Sequence, residues 1–208
     1  MGNLITLYIT RHGETVWNTE KRMQGRLDSP LTGKGVQNAI SLGKGLQDIN
    51  LTAIYSSPSG RAADTAAYIM GNRDIPLAFD ENLQEINMGE WEGETQGVIE
   101  AAYPDEFDAF WNNPHLYKPV KGETFVEVKE RAVNILNRIQ HEYESGNILI
   151  VTHSVVIKCF YSIFKNTSIE SLWDPPFIHD TSLTVVKIEE DGFNIVLEGD
   201  LSHRQIII

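Results

Sequence analysis

The sequence predicts an α/β fold of three layers: a mainly parallel central sheet, an antiparallel edge, and helices on both faces with a lid insertion. Three observations carry this expectation. Residues 4–10 ("LITLYIT"), 53–56 ("AIYS") and 148–152 ("ILIVT") are short, nearly continuous apolar or β-branched runs, as in strands covered on both sides. Helical periodicity lies between them, and strand alternating with helix implies parallel pairing. Near the end, "SLTVVKIEEDGFNIVLEG" reads as two strands meeting at Asp191-Gly192, a pair suited to a tight hairpin, which adds the antiparallel edge.

Along the chain, Leu4 to Thr10 forms the first strand. Thr32 then caps a helix whose apolar stripe is Val36, Ala39, Ile40, Leu42 and Leu46. Ala53 to Ser56 is the second strand. From about Gly89 to Gly122 the rhythm breaks: Pro104, Pro114 and Pro119 interrupt a stretch that carries Phe107, Phe110, Trp111 and Tyr117. Helix plus irregular loop is expected there, either as a lid over the strand ends or as a packing layer, and composition does not choose between them. Thr124 to Tyr143 is again helical, with Val128, Ala132, Ile135, Leu136 and Ile139 on one face. Residues 1–208 are expected to form one domain, with the lid insertion at roughly 89–122.

Composition narrows the function classes. A hydrophobic fraction of 41% and a charged fraction of 22% are those of a globular protein, without repeats or low-complexity tracts. The formal charge of -12 argues against nucleic acid and anionic membrane as partners, because both would be repelled. An anionic substrate therefore needs a pocket that reverses the field locally. The single cysteine, Cys159 in "VVIKCFYSIF", allows no intrachain disulfide and reads as a buried thiol in a reducing compartment. With no apolar run of bilayer length and no signal-peptide pattern, cytoplasm is the default localisation. Met1-Gly2 with Thr6 meets the minimal N-myristoylation pattern, but Thr6 falls within the first strand and is read as a strand residue.

The chemistry is concentrated where strands end. "LYIT" runs into Arg11, His12 and Gly13, and "ILIVT" into His153 and Ser154. In a parallel sheet these carboxyl ends share one edge, where open α/β folds bind ligands. "AIYSS" leads through Pro58-Ser59-Gly60 to Arg61 at the same edge. A lone histidine or arginine has a bland reading, but several cations converging in an acidic protein call for an anion, and the planar guanidinium fork suits phosphate oxygens. Gly13 is expected to let the backbone approach that ligand, and Asn18 to donate an amide hydrogen. Proton transfer needs a carboxyl group. Glu14, Glu85, Glu90, Glu92 and Glu94 are all candidates by spacing.

"TRHGETVWN" (10–18), "QGRLDSPLTGKG" (24–35), "YSSPSGRAADTA" (55–66), "LQEINMGEWEG" (83–93), "GET" (122–124) and "VTHS" (151–154) together resemble the histidine phosphatase superfamily, also called phosphoglycerate mutase-like. They occur in family order over most of the chain. With "FWNNPHLYKP" and "LWDPPFIHDTSLT" the likeness extends to the broad-specificity phosphatases of bacilli. The resemblance implies a phosphomonoester hydrolase that needs no cofactor and no metal and acts on small phosphorylated metabolites through a phosphohistidine. It implies His12 as nucleophile, Arg11, Arg61 and His153 as catalytic phosphate-holding groups, and Glu85 as acid and base. Asn18, Gln24, Gly25 and Ser154 are the substrate-binding positions. Ser154 stands where many relatives have glycine, and Asp180 where asparagine is frequent.

A phosphoglycerate mutase is the alternative reading, although the chain lacks the extended segment typical of those enzymes around the acid. A metal hydrolase would have to hold a divalent cation beside two arginines, which repel it. A noncatalytic phospholigand binder could dispense with His12 or Glu85, yet both are present. Met23, Gln24 and Arg26 are expected opposite the aromatic insertion as contacts for the leaving group. The pattern assigns no oligomeric state.

Overall fold

The computed structural model describes residues 4–204. Met1 and Gly2 of the acylation pattern lie outside them, whereas Thr6 sits in a strand as expected. Six strands form one sheet: β1 (Ile5–Arg11), β2 (Leu51–Ser56), β3 (Leu77–Phe79), β4 (Gly146–Thr152), β5 (Leu183–Glu189) and β6 (Gly192–Asp200). Their spatial order is β3-β2-β4-β1-β5-β6. The first four are parallel, while β5 runs antiparallel to β1 and β6 to β5. The helices are α1 (Val16–Thr19), α2 (Gly33–Gly45), α3 (Gly60–Met70), α4 (Gln96–Ala102), α5 (Pro104–Asn112), α6 (Phe125–Glu142) and α7 (Ser154–Phe164).

The period of two along each strand divides the core into two layers. Leu7, Ile9, Ile148 and Ile150 face α6, α7 and the aromatic segment, whereas Ile54, Leu149 and Val151 face α2 and α3. Strands buried on both sides are what their continuous apolar runs require. The caps fall as the sequence predicts. The Thr32 hydroxyl accepts from Gly35 N at 3.0 Å. At α6, Thr124 and Glu127 form a reciprocal capping box.

One element was not foreseen and one expectation needs correction. β3 pairs with β2 over three residues, too short a run to stand out by periodicity. The hairpin turn is Glu190-Asp191 rather than Asp191-Gly192, because Gly192 already pairs with Glu189 and opens β6 with φ of 133°.

The segment from Gly89 to Gly122 contains α4, α5 and two short 3₁₀ turns. Its packing centres on Trp91, which is fully buried. The rings of Tyr103, Phe107, Phe110 and Tyr117 lie 6.4, 6.2, 5.7 and 5.5 Å from its own. This apolar cluster is continuous with the core over α6 through Phe125, whose ring is 5.0 Å from Phe110.

Candidate active site

The carboxyl ends of β1, β2 and β4 converge because they are hydrogen-bonded neighbours. His12 N donates to Thr152 O at 2.9 Å, and Ser57 N to Val151 O at 3.0 Å, carrying the ladder one residue past each strand. The rings of His12 and His153 consequently stand 5.1 Å apart. They open onto, or lie just behind, a cavity of about 600 Å³ walled by Arg11, His12, Asn18, Gln24, Gly25, Arg61, Glu85 and Ser154 among others. Of the nine positions expected to be catalytic or substrate-binding, only His153 is not on the cavity wall. It is fully buried against His12.

The two imidazoles are wired in opposite senses. His12 Nδ1 lies 2.8 Å from the carbonyl of Gly13, which can only accept. Nδ1 therefore carries the hydrogen, and Nε2 of the neutral ring keeps its lone pair. In His153 the Nε2 atom is engaged, 2.9 Å from Ser57 Oγ and 3.3 Å from Ser59 Oγ. Its Nδ1 is buried with no partner among the described residues. Burial holds both histidines well below the ordinary imidazole range, and Arg61 and Arg11 add to the effect. Both rings are uncharged at neutral pH.

Arg61, in the first turn of α3, is almost completely buried yet fixed in space. Its Nη1 donates to Leu27 O at 2.7 Å and Asp28 Oδ1 at 2.8 Å, and its Nη2 to Gly25 O at 2.8 Å. Nε is left without a partner among the described residues. Arg11 Nη1 donates to Ile178 O at 2.9 Å, and its Nε is likewise unpartnered. Burial lowers the Arg11 pKa, although Glu85 and Asp180 favour the charged form. The buried Arg61 and half-buried Arg11, each with an unused buried Nε–H donor, form with two neutral imidazoles a ready-made cradle for an oxyanion.

Asn18 is oriented by the chain around it. Its Oδ1 accepts from Thr15 N and Thr15 Oγ1, each at 3.0 Å, so its amide hydrogens are left for the cavity. Gln24 Oε1 accepts from Ser29 Oγ at 3.3 Å in the same manner. A Cβ on Gly13 would stand 2.8 Å from the carbonyl oxygen of Gly35, so the missing side chain admits the start of α2.

Glu85 enters from the segment following β3. Its Oε1 accepts from Ile86 N at 3.0 Å, and its Oε2 from Ser154 Oγ at 3.2 Å and Val155 N at 3.4 Å. The hydroxyl that distinguishes Ser154 from glycine thus binds Glu85, a contact that no spacing argument reveals. Of the five candidate glutamates, Glu85 alone lines the cavity.

Above this polar floor the walls are chiefly apolar, with Met23, Met88, Phe110, Trp111, Val155, Trp173, Pro175, Phe177 and Ile178, and Lys21, Arg22, Gln96 and Lys158 also line them. Phe107 and Tyr117 of the expected aromatic wall turn inward to Trp91 instead. Trp173 and Phe177 were not foreseen from sequence. Trp173 packs 5.0 Å from Trp111 and donates to Phe110 O at 2.5 Å. Arg26 also departs from expectation. It does not line the cavity, and its guanidinium binds Glu85 O at 3.0 Å and Glu123 at 3.2 Å.

A profile of the histidine phosphatase superfamily (branch 1) matches residues 7–201. The chain belongs to that superfamily. Among solved structures, Bacillus stearothermophilus YhfR superposes with a TM-score of 0.94 and 49% identity, covering 96% of this chain and 98% of the other. A phosphoglycerate mutase from Bacillus anthracis gives a TM-score of 0.82 at 29% identity, with 97% and 96% covered. Phosphoserine phosphatase 1 of Hydrogenobacter thermophilus is 27% identical over 199 residues, 96% of this chain and 93% of that protein. Histidine phosphatase chemistry is thus a property of the family, and phosphatases and mutases are both represented among these relatives.

Proposed function

We propose that this protein hydrolyses small phosphomonoesters through a phosphohistidine on His12, with broad specificity. The observation that carries the reading is the accessible lone pair of His12 Nε2, set by the Gly13 carbonyl and surrounded by unused donors of Arg11 and Arg61.

In the first half-reaction Nε2 attacks phosphorus in line, the P–N bond forms, and the P–O bond to the leaving group breaks. Arg11, Arg61 and the Asn18 amide hold the nonbridging oxygens. We assign His153 the same role: in the tautomer that accepts a serine hydrogen at Nε2, its unpartnered Nδ1 carries a hydrogen. Charge shifting onto these oxygens meets donors that need no reorganisation. Glu85, as the carboxylic acid, gives its proton to the departing alkoxide. In the second half-reaction the Glu85 carboxylate takes a proton from water as its oxygen attacks phosphorus. The P–N bond then breaks, and inorganic phosphate, neutral His12 and protonated Glu85 are restored. Gln24, Gly25 and Ser154 shape the rim, Ser154 by way of Glu85.

The positive charge of the cradle comes from Arg11 and Arg61, so the reaction we assign uses neither metal nor organic cofactor. Among the described residues no three His, Cys, Asp or Glu side chains are grouped to hold a metal. We read residues 1–208 as one domain in which the segment at 89–122 is the lid, and its cavity-facing Phe110 and Trp111 favour an apolar or ring-bearing leaving group. A cytoplasmic setting agrees with the absence, among the described residues, of any helix able to cross a membrane.

Phosphate release from a panel of phosphomonoesters, without bisphosphoglycerate and with chelator present, tests this reading. We expect release from several esters and acid-labile phosphate on rapidly quenched protein. Mutase activity that appears only after bisphosphoglycerate priming, with no phosphate release, would overturn it.

A further inference from the structure

"GET" at 122–124 is the one sequence motif to which the reaction assigns no task, and the structure places its glutamate beneath the acid. Glu85 lies on a segment with no regular secondary structure, where carbonyls have no ladder to donate to them. Yet four consecutive carbonyls are held by side chains. Arg131 Nη1 donates to Asn82 O at 2.8 Å and Gln84 O at 2.5 Å, Thr152 Oγ1 to Leu83 O at 2.7 Å, and Arg26 Nε to Glu85 O at 3.0 Å.

The two arginines come from distant elements and meet on Glu123. Its Oε1 accepts from Arg131 Nε at 3.0 Å. Its Oε2 accepts from Arg131 Nη2 and Arg26 Nη2, both at 3.2 Å, and from Asn87 N at 2.7 Å. Burial would raise the Glu123 pKa, but the Asn87 amide, Arg131 and Arg26 together outweigh it and hold the group below the ordinary carboxylate range. The backbone is closed on the same point. Glu123 N donates to Asn87 O at 2.8 Å, and a Cβ on Gly122 would approach that oxygen to 2.3 Å.

We propose that Glu123 is a positioning residue for Glu85: through Arg26 and Arg131 it fixes the backbone from which the acid reaches the leaving group. The proposal rests on the reading of Glu85 as the proton donor. An exposed ion pair would contribute little, whereas this carboxylate accepts four hydrogen bonds, one from Asn87 N of the acid's own segment and three from guanidinium groups whose other donors hold that segment. A proton donor displaced by a fraction of an ångström loses much of its effect.

Leaving-group dependence separates positioning from general stability. p-Nitrophenyl phosphate expels a leaving group that needs no proton, while glycerol 2-phosphate expels an alkoxide that does, and kcat/KM reports the first phosphoryl transfer for each. We expect Glu123→Gln to raise the aryl-to-alkyl ratio of kcat/KM about tenfold, and Glu85→Gln, as reference, to raise it about a hundredfold. Arg131→Lys shifts it in the same direction and serves as the test if Glu123→Gln does not fold, as judged by thermal melting. A wild-type ratio in Glu123→Gln and Arg131→Lys, with Glu85→Gln displaced, overturns the clamp alone. An unmoved ratio in Glu85→Gln overturns the acid assignment and the clamp with it. Wild-type protein that hydrolyses neither ester overturns the phosphatase reading itself.

Discussion

The floor and the wall of the cavity are built on different terms. His12, Arg11 and Arg61 of the floor project from ends of adjacent strands or the helix that follows, and main-chain partners fix them: His12 by Gly13, Arg61 by Gly25 and Leu27, Arg11 by Ile178. Wall residues belong to α5 and to the stretch from Trp173 to Ile178, and contact one another chiefly through apolar and aromatic surfaces. The difference teaches that the proposed reaction chemistry is tied to the sheet, whereas the proposed choice of ester depends on side chains that can be exchanged without removing the main-chain contacts that hold the floor, such as Ile178 O to Arg11.

The strongest way to break this division is at the floor. Removal of the proposed nucleophile in His12→Ala is expected to lower kcat by about four orders of magnitude or more and to abolish acid-labile phosphate in rapid-quench experiments. A variant that still forms phosphoprotein would assign the nucleophile elsewhere. Arg61→Lys keeps the charge but not the fork. Loss of one transition-state donor costs about 2.7–4 kcal/mol, so steady-state kinetics should show kcat/KM reduced by about a hundredfold or more for every ester alike.

A smaller effect concerns stability. The folded pKa values of His12 and His153 are depressed, chiefly by burial, so below the unfolded value near ~6.5 the unfolded chain binds protons that the folded one refuses. Stability therefore falls as pH drops from about 7 to 5, with each histidine contributing up to about 1.4 kcal/mol per pH unit. Denaturant melts of His12→Gln should show a shallower decline, while Trp111→Ala, a wall variant, keeps the wild-type slope. The smallest expected change is at the wall. Trp111→Ala should reduce the preference for 1-naphthyl over phenyl phosphate by a few-fold, up to about tenfold, on the scale of one aromatic contact. Equal loss on both esters would show that the wall supports the floor rather than selecting among substrates.

What could be read from the sequence followed short-range rules. Apolar runs ending in Arg11-His12 and His153 placed both imidazoles on one edge, and Thr32 and Thr124 marked helix starts to the residue. What escaped depends on partners far apart in the chain. Arg26 could not be separated from the leaving-group wall without knowing that Glu123, 97 positions away, receives it. The Ser154 hydroxyl reaches Glu85 across 69 positions. Trp173 and Phe177 lay outside the aromatic stretch that drew notice, and the contact of Gly13 with Gly35 joins positions 22 apart. Periodicity reports which face of an element is buried, not which side chain meets it there.

The hydrogen bond from His12 to the carbonyl of its own neighbour, Gly13, has an evolutionary consequence. Because the proton on the nucleophile is placed by a peptide group rather than by another side chain, no substitution elsewhere removes the acceptor. Descendants of this chain are free to exchange aromatic residues, shorten α5 or recruit a new ester while inheriting an intact nucleophile. A lineage can therefore diversify in substrate faster than it can lose its reaction.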